Sequence, residues 1–299
     1  MNKIDSFQNQ ITILMILYQE DHEMVSNCLE NIKNFKIIII DNANDDILKK
    51  KIVKEFKIYK YILNDKNIGF ASAANQGINQ CDTTHMLFLN ADCLLTENNI
   101  YLLYEAKNKY QDCLIVAPTL YDENNNLTYN GGLLPENGHK SLPLNLDGDS
   151  CVETVITTAI LFKISELKEI GSIDTNFFIY FLDDELCRRA KAHKKAIIQV
   201  FNSKAIHNHG DLKVNGKYNK IFIRNFHFTF DELYYYYKNN AHTQKLQTLK
   251  KKIYKYFIKT ILNLFLFRFS KCVYYFSKIL AYLKFVLKFV IFKDKLLKD

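Results

Sequence analysis

The chain contains no run of 18 residues free of charge, which excludes an ordinary membrane-spanning helix. Residues 1–10 lack the apolar stretch of a secretory signal, so export by that route is not expected. None of the seven cysteines (Cys28, Cys81, Cys93, Cys113, Cys151, Cys187 and Cys272) forms a C-x-x-C pair, and they read as reduced thiols of a cytosolic protein. There is no internal repeat, no G-x-G-x-x-G dinucleotide fingerprint and no G-x-x-x-x-G-K-[ST] loop. What remains is a 299-residue chain, 48% hydrophobic, long enough to bury a core as one domain or as a domain with an appendage. Its net charge of +8 is unevenly placed. From Lys245 onward 14 Lys/Arg stand against Asp294 and Asp299, leaving 26 basic and 30 acidic residues before it.

The first 120 residues alternate between short apolar runs and helix-like segments. Strands are expected at 11–17, 35–40, 56–63 and 86–89, and helices at 21–35, 45–55, 70–80 and after Thr96, an N-cap residue. Alternation at this length predicts an α/β fold with a parallel sheet flanked by helices. Gly- and Asn-rich turns mark residues 120–150 as loops or a hairpin. A strand over 152–162, a helix over 183–192, an extended run over 196–201, a polar loop over 205–210 and an aromatic-rich helix over 225–238 complete the pattern.

Four polar clusters each follow an apolar run: Tyr18 to Glu20, Asp41-Asn42, Asn67 to Phe70, and Asn90 to Asp92. In open parallel sheets ligands bind beyond the carboxyl ends of the strands, so the four clusters point to one crevice. Asn90 and Asp92, two residues apart on a turn, suit a hard divalent cation shared with phosphate and water, although a plain turn has the same pattern. Gly69 and the small residues up to Gly77 allow close backbone approach and a helix N-terminus that attracts anions. Asp183, Asp184 and Glu185 occupy a helix's first turn, where the dipole alone favours acids; beside the aromatic run 177–181, one of them is a candidate general base. His207 and His209 are metal-ligand types in a polar loop.

In order and spacing these segments, from Ile11 to His209, resemble the family 2 glycosyltransferases of GT-A fold, particularly the bacterial rhamnosyltransferase-like branch. The matching stretches are Leu17-Tyr18-Gln19, Asp41-Asn42-Ala43, the Asn-x-Gly-Phe-Ala run from Asn67 to Gly77, Asn90-Ala91-Asp92, and Phe181 to Arg189. The resemblance implies a nucleotide-sugar pocket lined by Tyr18, Asp41, Asn42, Asn67, Gly69, Phe70, Asn75, Asn90 and Asp92. It implies a Mg2+ or Mn2+ ion held by Asp92 and His207, with His209 as the alternative ligand, and Asp183 as the catalytic base. The implied reaction is inverting transfer from a donor such as dTDP-rhamnose to a surface-glycan or lipid-linked hydroxyl. Departures are Gln19 for the usual Asn, Thr157-Thr158 where a Gly pair is common, and Leu182 where an acid is common. The last leaves Asp183 on an apolar flank, where desolvation raises a carboxyl pKa.

The implied glycosyltransferase domain covers 1–238, followed by a tail over 239–299 in which aromatic and aliphatic residues are interrupted by lysine. Lys252, Lys255 and Lys259 share one helix face, as do Lys284, Lys288 and Lys295. Such a basic amphipathic pattern predicts helices lying on an anionic membrane surface at the inner face of the cell membrane, the alternatives being helices packed on the catalytic domain with their lysines in water, or an oligomer interface. No groove-reading motif accompanies the charge, which argues against nucleic acid. Two competing readings are a nucleotidyltransferase, which ordinarily needs a Gly-rich basic loop absent from 17–20, and a non-catalytic scaffold with a degenerate sugar-nucleotide pocket.

Overall fold

The computed structural model describes residues 7–138, 146–208, 216–239 and 249–291. The chain divides into two compact units: described residues within 1–175 and 183–211, and those within 176–182 and 212–299.

The first unit is built on one sheet. Its strands are β1 (Ile11–Leu17), β2 (Lys36–Asp41), β3 (Lys60–Leu63), β4 (His85–Leu89), β5 (Cys93–Leu95), β6 (Cys113–Tyr121), β7 (Leu127–Tyr129), β8 (Ser150–Cys151), β9 (Ala159–Lys163) and β10 (Ala196–His207), in the spatial order β3-β2-β1-β4-β9-β6-β10-β5. The run β3-β2-β1-β4 is parallel, as the apolar runs predict. Beyond β4 the sheet is mixed: β9 is antiparallel to both β4 and β6, β10 is parallel to β6, and β5 returns antiparallel to β10. The expected hairpin is β6 with β7.

Helices α1 (His22–Glu30), α2 (Asp46–Glu55), α3 (Phe70–Gln80), α4 (Glu97–Lys109), α5 (Ile164–Glu169) and α6 (Leu182–Ala192) follow the strands. Ile11, Ile13, Met15 and Leu17 of β1 share a core cluster with Val25, Cys28 and Leu29 of α1, Leu48 and Ile52 of α2, and Ile100 and Leu103 of α4. The alternate face of β1 meets α3, where a Cβ on Gly77 would lie 2.4 Å from a methyl of Leu14. Burial on both faces is why β1 and β2 read as continuous apolar runs rather than alternating ones. Asp21, Asp45 and Thr96 cap α1, α2 and α4 through their side-chain oxygens.

Three boundaries differ most from expectation. The strand expected over 152–162 begins only at Ala159; residues 152–158 form a turn-rich segment with a single bridge, Thr154 to Gly132. The extended run ending at 201 continues to His207, so the polar loop expected from 205 starts later. The aromatic helix starts at Lys217 rather than 225: it is α7 (Lys217–Lys238), and it belongs to the second unit.

In that unit α7 packs on α9 (Phe269–Phe285), which packs on α8 (Leu249–Phe265). Phe230 and Tyr237 of α7 meet Phe285 edge-on, and Tyr234 stacks on Phe289 at 4.7 Å. The domain boundary read at 238 therefore cuts between a helix and its packing partners. Among the described residues no helix is long and apolar enough to cross a membrane. Lys295 and His209 lie outside the described residues.

Candidate functional site

Strand pairing builds the centre of the site. Asp92 ends the turn after β4, and β5 begins at the next residue. Because β5 runs antiparallel to β10 with Cys93 opposite His207, the last residue of β10 is delivered beside Asp92. The Asn208 N–H donates to the Asp92 carbonyl at 3.0 Å and fixes the register. His207 Nε2 then stands 3.5 Å from Asp92 Oδ1. Asp92 Oδ1 is buried without a hydrogen-bond partner, a costly state for a carboxylate oxygen unless a cation reaches it.

These two groups fit a divalent ion. Donors each about 2.1 Å from one ion lie about 3–4 Å apart at ordinary ligand angles. Among the described residues no group of three or more His, Cys, Asp or Glu is placed to hold a metal ion. Two protein ligands suit Mg2+ or Mn2+, which keep coordination positions for phosphate and water. A cavity of about 230 Å3, lined by Asp21, Met24, Asn27, Ala91, Asp92 and Asn208, opens at this point. Beneath the turn, the Cys28 thiol donates to the Cys93 carbonyl at 3.4 Å, and burial pushes its pKa up to about 12, which makes it an inert packing group.

The ends of β1 and β2 carry the second group of residues. Leu17 pairs with Asp41, and the Asn42 N–H donates to the Leu17 carbonyl at 2.8 Å. Asp41 is buried; one oxygen accepts the Ala43 N–H at 2.7 Å and the other the Tyr61 hydroxyl at 3.1 Å. Burial and the Asp41 charge push the Tyr61 pKa upward. Asn42 accepts from the Asn64 amide at 2.9 Å and donates to the Gly69 carbonyl, tying the β2 end to the start of α3. Asn67 accepts the Gly69 N–H at 2.9 Å, and Gly69 has φ 83, a conformation that favours glycine. Phe70 packs edge-on against Phe88. Tyr18 is half-buried beyond β1, its N–H bound by the Glu20 carboxylate, while Gln19 is held at φ 65.

Asn75 departs from expectation. Its amide donates to the Ile173 carbonyl at 2.7 Å and accepts the Ile173 N–H at 3.1 Å. Both polar atoms therefore clamp the loop at 173, which makes Asn75 a support for that loop rather than a lining group.

The three acids of α6 separate by environment. Glu185 is buried and forms a two-pronged pair with Arg189 at 3.0 and 2.9 Å. Asp184 is buried, accepts the Thr154 hydroxyl at 3.2 Å, and its pKa is raised to about 8 by burial and by the neighbouring Asp183 charge. Asp183 is half-buried. The apolar flank of Leu182 was expected to desolvate Asp183; the burial falls instead on Asp184.

Segment 154–158 joins the acids to the Asn90–Asp92 turn. Thr154 holds Asp184, the Val155 carbonyl accepts the Cys187 thiol, and the Thr158 carbonyl accepts the Asn90 N–H at 2.9 Å. Thr154, Tyr61 and Asn64 were missed from sequence. Asn64, a polar residue directly after an apolar run, carried the same signal as Asp41; Thr154 carried none.

The curled mixed sheet flanked by helices is the α/β architecture shared with solved glycosyltransferases. The profile of Glycosyl transferase family 2 matches residues 12–167, and the chain belongs to that family. It is 31% identical over 119 residues to a teichoic acid poly(glycerol phosphate) polymerase of Staphylococcus epidermidis, covering 37% of this chain but only 16% of the polymerase. It is 22% identical over 219 residues to a low-salt glycan biosynthesis hexosyltransferase of Haloferax volcanii, covering 67% of each. Its fold resembles that of GalNAc-T7 solved with UDP, GalNAc and Mn2+, with TM-score 0.59 and 14% identity over 76% of this chain and 49% of that one.

Proposed function

We propose that the chain is an inverting, cation-dependent glycosyltransferase moving a sugar from a nucleotide-sugar donor to a hydroxyl of a surface-glycan or lipid-linked acceptor. The observation that carries this reading is the Asp92–His207 pair, whose unbonded carboxylate oxygen faces an imidazole at 3.5 Å. Asp92 and His207 would hold one Mg2+ or Mn2+, as the Mn2+-bound structural relative invites. When bound, such an ion offsets charge developing on the diphosphate leaving group.

The chain's own residues supply the rest. Asp41, Asn42 and Asn67, rigidified by their bonds to one another's elements, orient the nucleoside beyond β1 and β2, with Tyr18, Gly69, Phe70 and Asn90 at its border. Asp183 accepts the proton of the acceptor hydroxyl while the new C–O bond forms at the anomeric carbon. The bond to the diphosphate breaks on the opposite face, and the nucleoside diphosphate leaves with the electron pair. Of the three acids, Asp183 is the one at the position of the family's base, while Glu185 pairs with Arg189 and Asp184 is buried. A general base contributes about 10²–10⁴-fold. The family resemblance puts dTDP-rhamnose first among donors, with UDP- and GDP-sugars beside it. The sheet-bearing first unit is the catalytic one, and the basic residues of 239–299 hold the chain on an anionic membrane at the inner face of the cell membrane.

The test is nucleoside diphosphate release from a donor panel, with Mn2+ or with EDTA. The expected result is Mn2+-dependent release, lost in Asp92→Ala, and reduced about 100-fold or more in Asp183→Asn while nucleotide binding persists. Full activity in EDTA overturns the cation; wild-type turnover by Asp183→Asn overturns the base; no release from any donor overturns the enzyme.

A further inference from the structure

The second unit carries a feature that transfer chemistry does not use. Helices α8 and α9 pack together and are joined by the three residues 266–268, closed by the Arg268 N–H on the Asn263 carbonyl at 2.8 Å. Within α9, Ile279, Ala281, Tyr282 and Phe285 are buried, while the body of α8 exposes Tyr254, Phe257, Ile258 and Ile261 by 39–66%. Exposure is highest at the turn. Leu262, Leu264, Phe265, Leu266, Phe267 and Phe269 all lie in solvent, with Phe265 76% and Phe267 79% exposed. An apolar patch of this kind marks an interaction surface.

Charge identifies the partner. Residues 249–291 contain ten Lys/Arg and no acid. Two such hairpins repel one another, whereas an anionic lipid surface attracts both. Behind the turn the cations sit among tyrosines: Lys259 lies over Tyr275 at 5.0 Å, and Lys278 over Tyr274 at 4.6 Å. Tyrosine with lysine is the composition of a membrane–water interface, where the ring rests at the headgroups and the ammonium reaches water. Six residues of helix separate Lys259 from Phe265, a rise of about 9 Å. That matches the depth of about 5–10 Å to which interfacial helices bury their apolar side chains.

We propose that the α8–α9 turn is a wedge that enters an anionic phospholipid bilayer end-on, with Phe265 and Phe267 among the acyl chains and Lys255, Lys259, Lys271 and Lys278 at the headgroups. This rests on the membrane-association reading above and goes beyond it, since that reading lays the helices flat and this one inserts only their turn.

The chain has no tryptophan, so a single introduced indole reports its own surroundings. Phe267→Trp at the turn and Phe257→Trp, itself exposed but ten positions back along α8, are placed in the full chain. Each is mixed with phosphatidylglycerol–phosphatidylcholine vesicles carrying brominated acyl chains. Blue shift with strong acyl-chain quenching at 267, and little acyl-chain quenching at 257, is the expected result. Phe265→Ser/Phe267→Ser should weaken vesicle co-sedimentation about tenfold or more while nucleotide-sugar binding stays unchanged. Strong quenching at both positions overturns the wedge and leaves flat docking standing. Sedimentation without quenching at either also overturns it, reducing the contact to headgroups. No sedimentation with anionic vesicles overturns membrane association itself, and self-association that hides Phe267 without lipid would assign the turn to a second copy.

Discussion

Glu185, Asp184 and Asp183 are adjacent in sequence, yet their surroundings give them different chemistry. Glu185 is buried against the Arg189 guanidinium, so its charge is matched by fixed donors. Asp184 accepts the Thr154 hydroxyl, and burial with the Asp183 charge lifts its pKa from the ordinary 3.8 to about 8. A carboxyl whose folded pKa is raised contributes stability fully present below 3.8 and lost as pH rises through about 8. The expected outcome is a melting temperature that falls across that window in the wild type. Asp184→Asn, which still accepts the Thr154 bond, should flatten the fall, as a thermal-denaturation series in pH would read. The acid cluster was legible in the sequence, but its sorting was not. Residue 184 is distinguished by Thr154, thirty positions away in a stretch that reads as a strand, and no local pattern announces that bond.

At the scale of elements, the parallel half of the sheet was legible because strands buried on both faces leave continuous apolar runs. The far edge was not. β5 is three residues long, and the end of β10 carries Asn202, Lys204 and His207, which read as loop residues; only their pairing with β5 and β6 makes them strand. The segment preceding α6 shows the same limit. The N–H groups of Phe178, Ile179 and Tyr180 all donate to the carboxylate of Asp231, fully buried on α7, at 2.9–3.2 Å. Burial lifts the Asp231 pKa to about 6 despite these three donors and the Lys284 charge. Removing the carboxylate leaves three backbone donors without it. Asp231→Ala is therefore expected to destabilise the second unit by on the order of 3 kcal/mol, measured by urea denaturation. Asp231→Asn, which keeps an acceptor oxygen, should lose less.

Across the whole molecule charge is unevenly placed along the chain: residues before Lys245 sum to −4 and those from it to +12. Composition revealed that asymmetry but placed the division at 238, because α7 reads as the last helix of the sheet domain. Its aromatic face instead rests on α9 and the turn beyond it, through Phe230 and Tyr237 on Phe285 and Tyr234 on Phe289. Ending the chain after Asn239 would therefore strip α7 of its packing partner and expose those rings. That truncation is expected to aggregate, seen as early elution in size-exclusion chromatography, rather than to yield a clean catalytic domain. A soluble, monodisperse product with native donor binding would show that α7 does not depend on α9. The tail's electrostatic role is better read in the intact chain by salt. Surface attraction decays over a Debye length of about 10 Å at 0.1 M and about 3 Å at 1 M. Vesicle binding should accordingly fall steeply between those ionic strengths. Nucleotide-sugar binding, proposed to rest on the buried Asp41 and the carboxylate–imidazole pair, should fall less, because salt screens buried groups weakly.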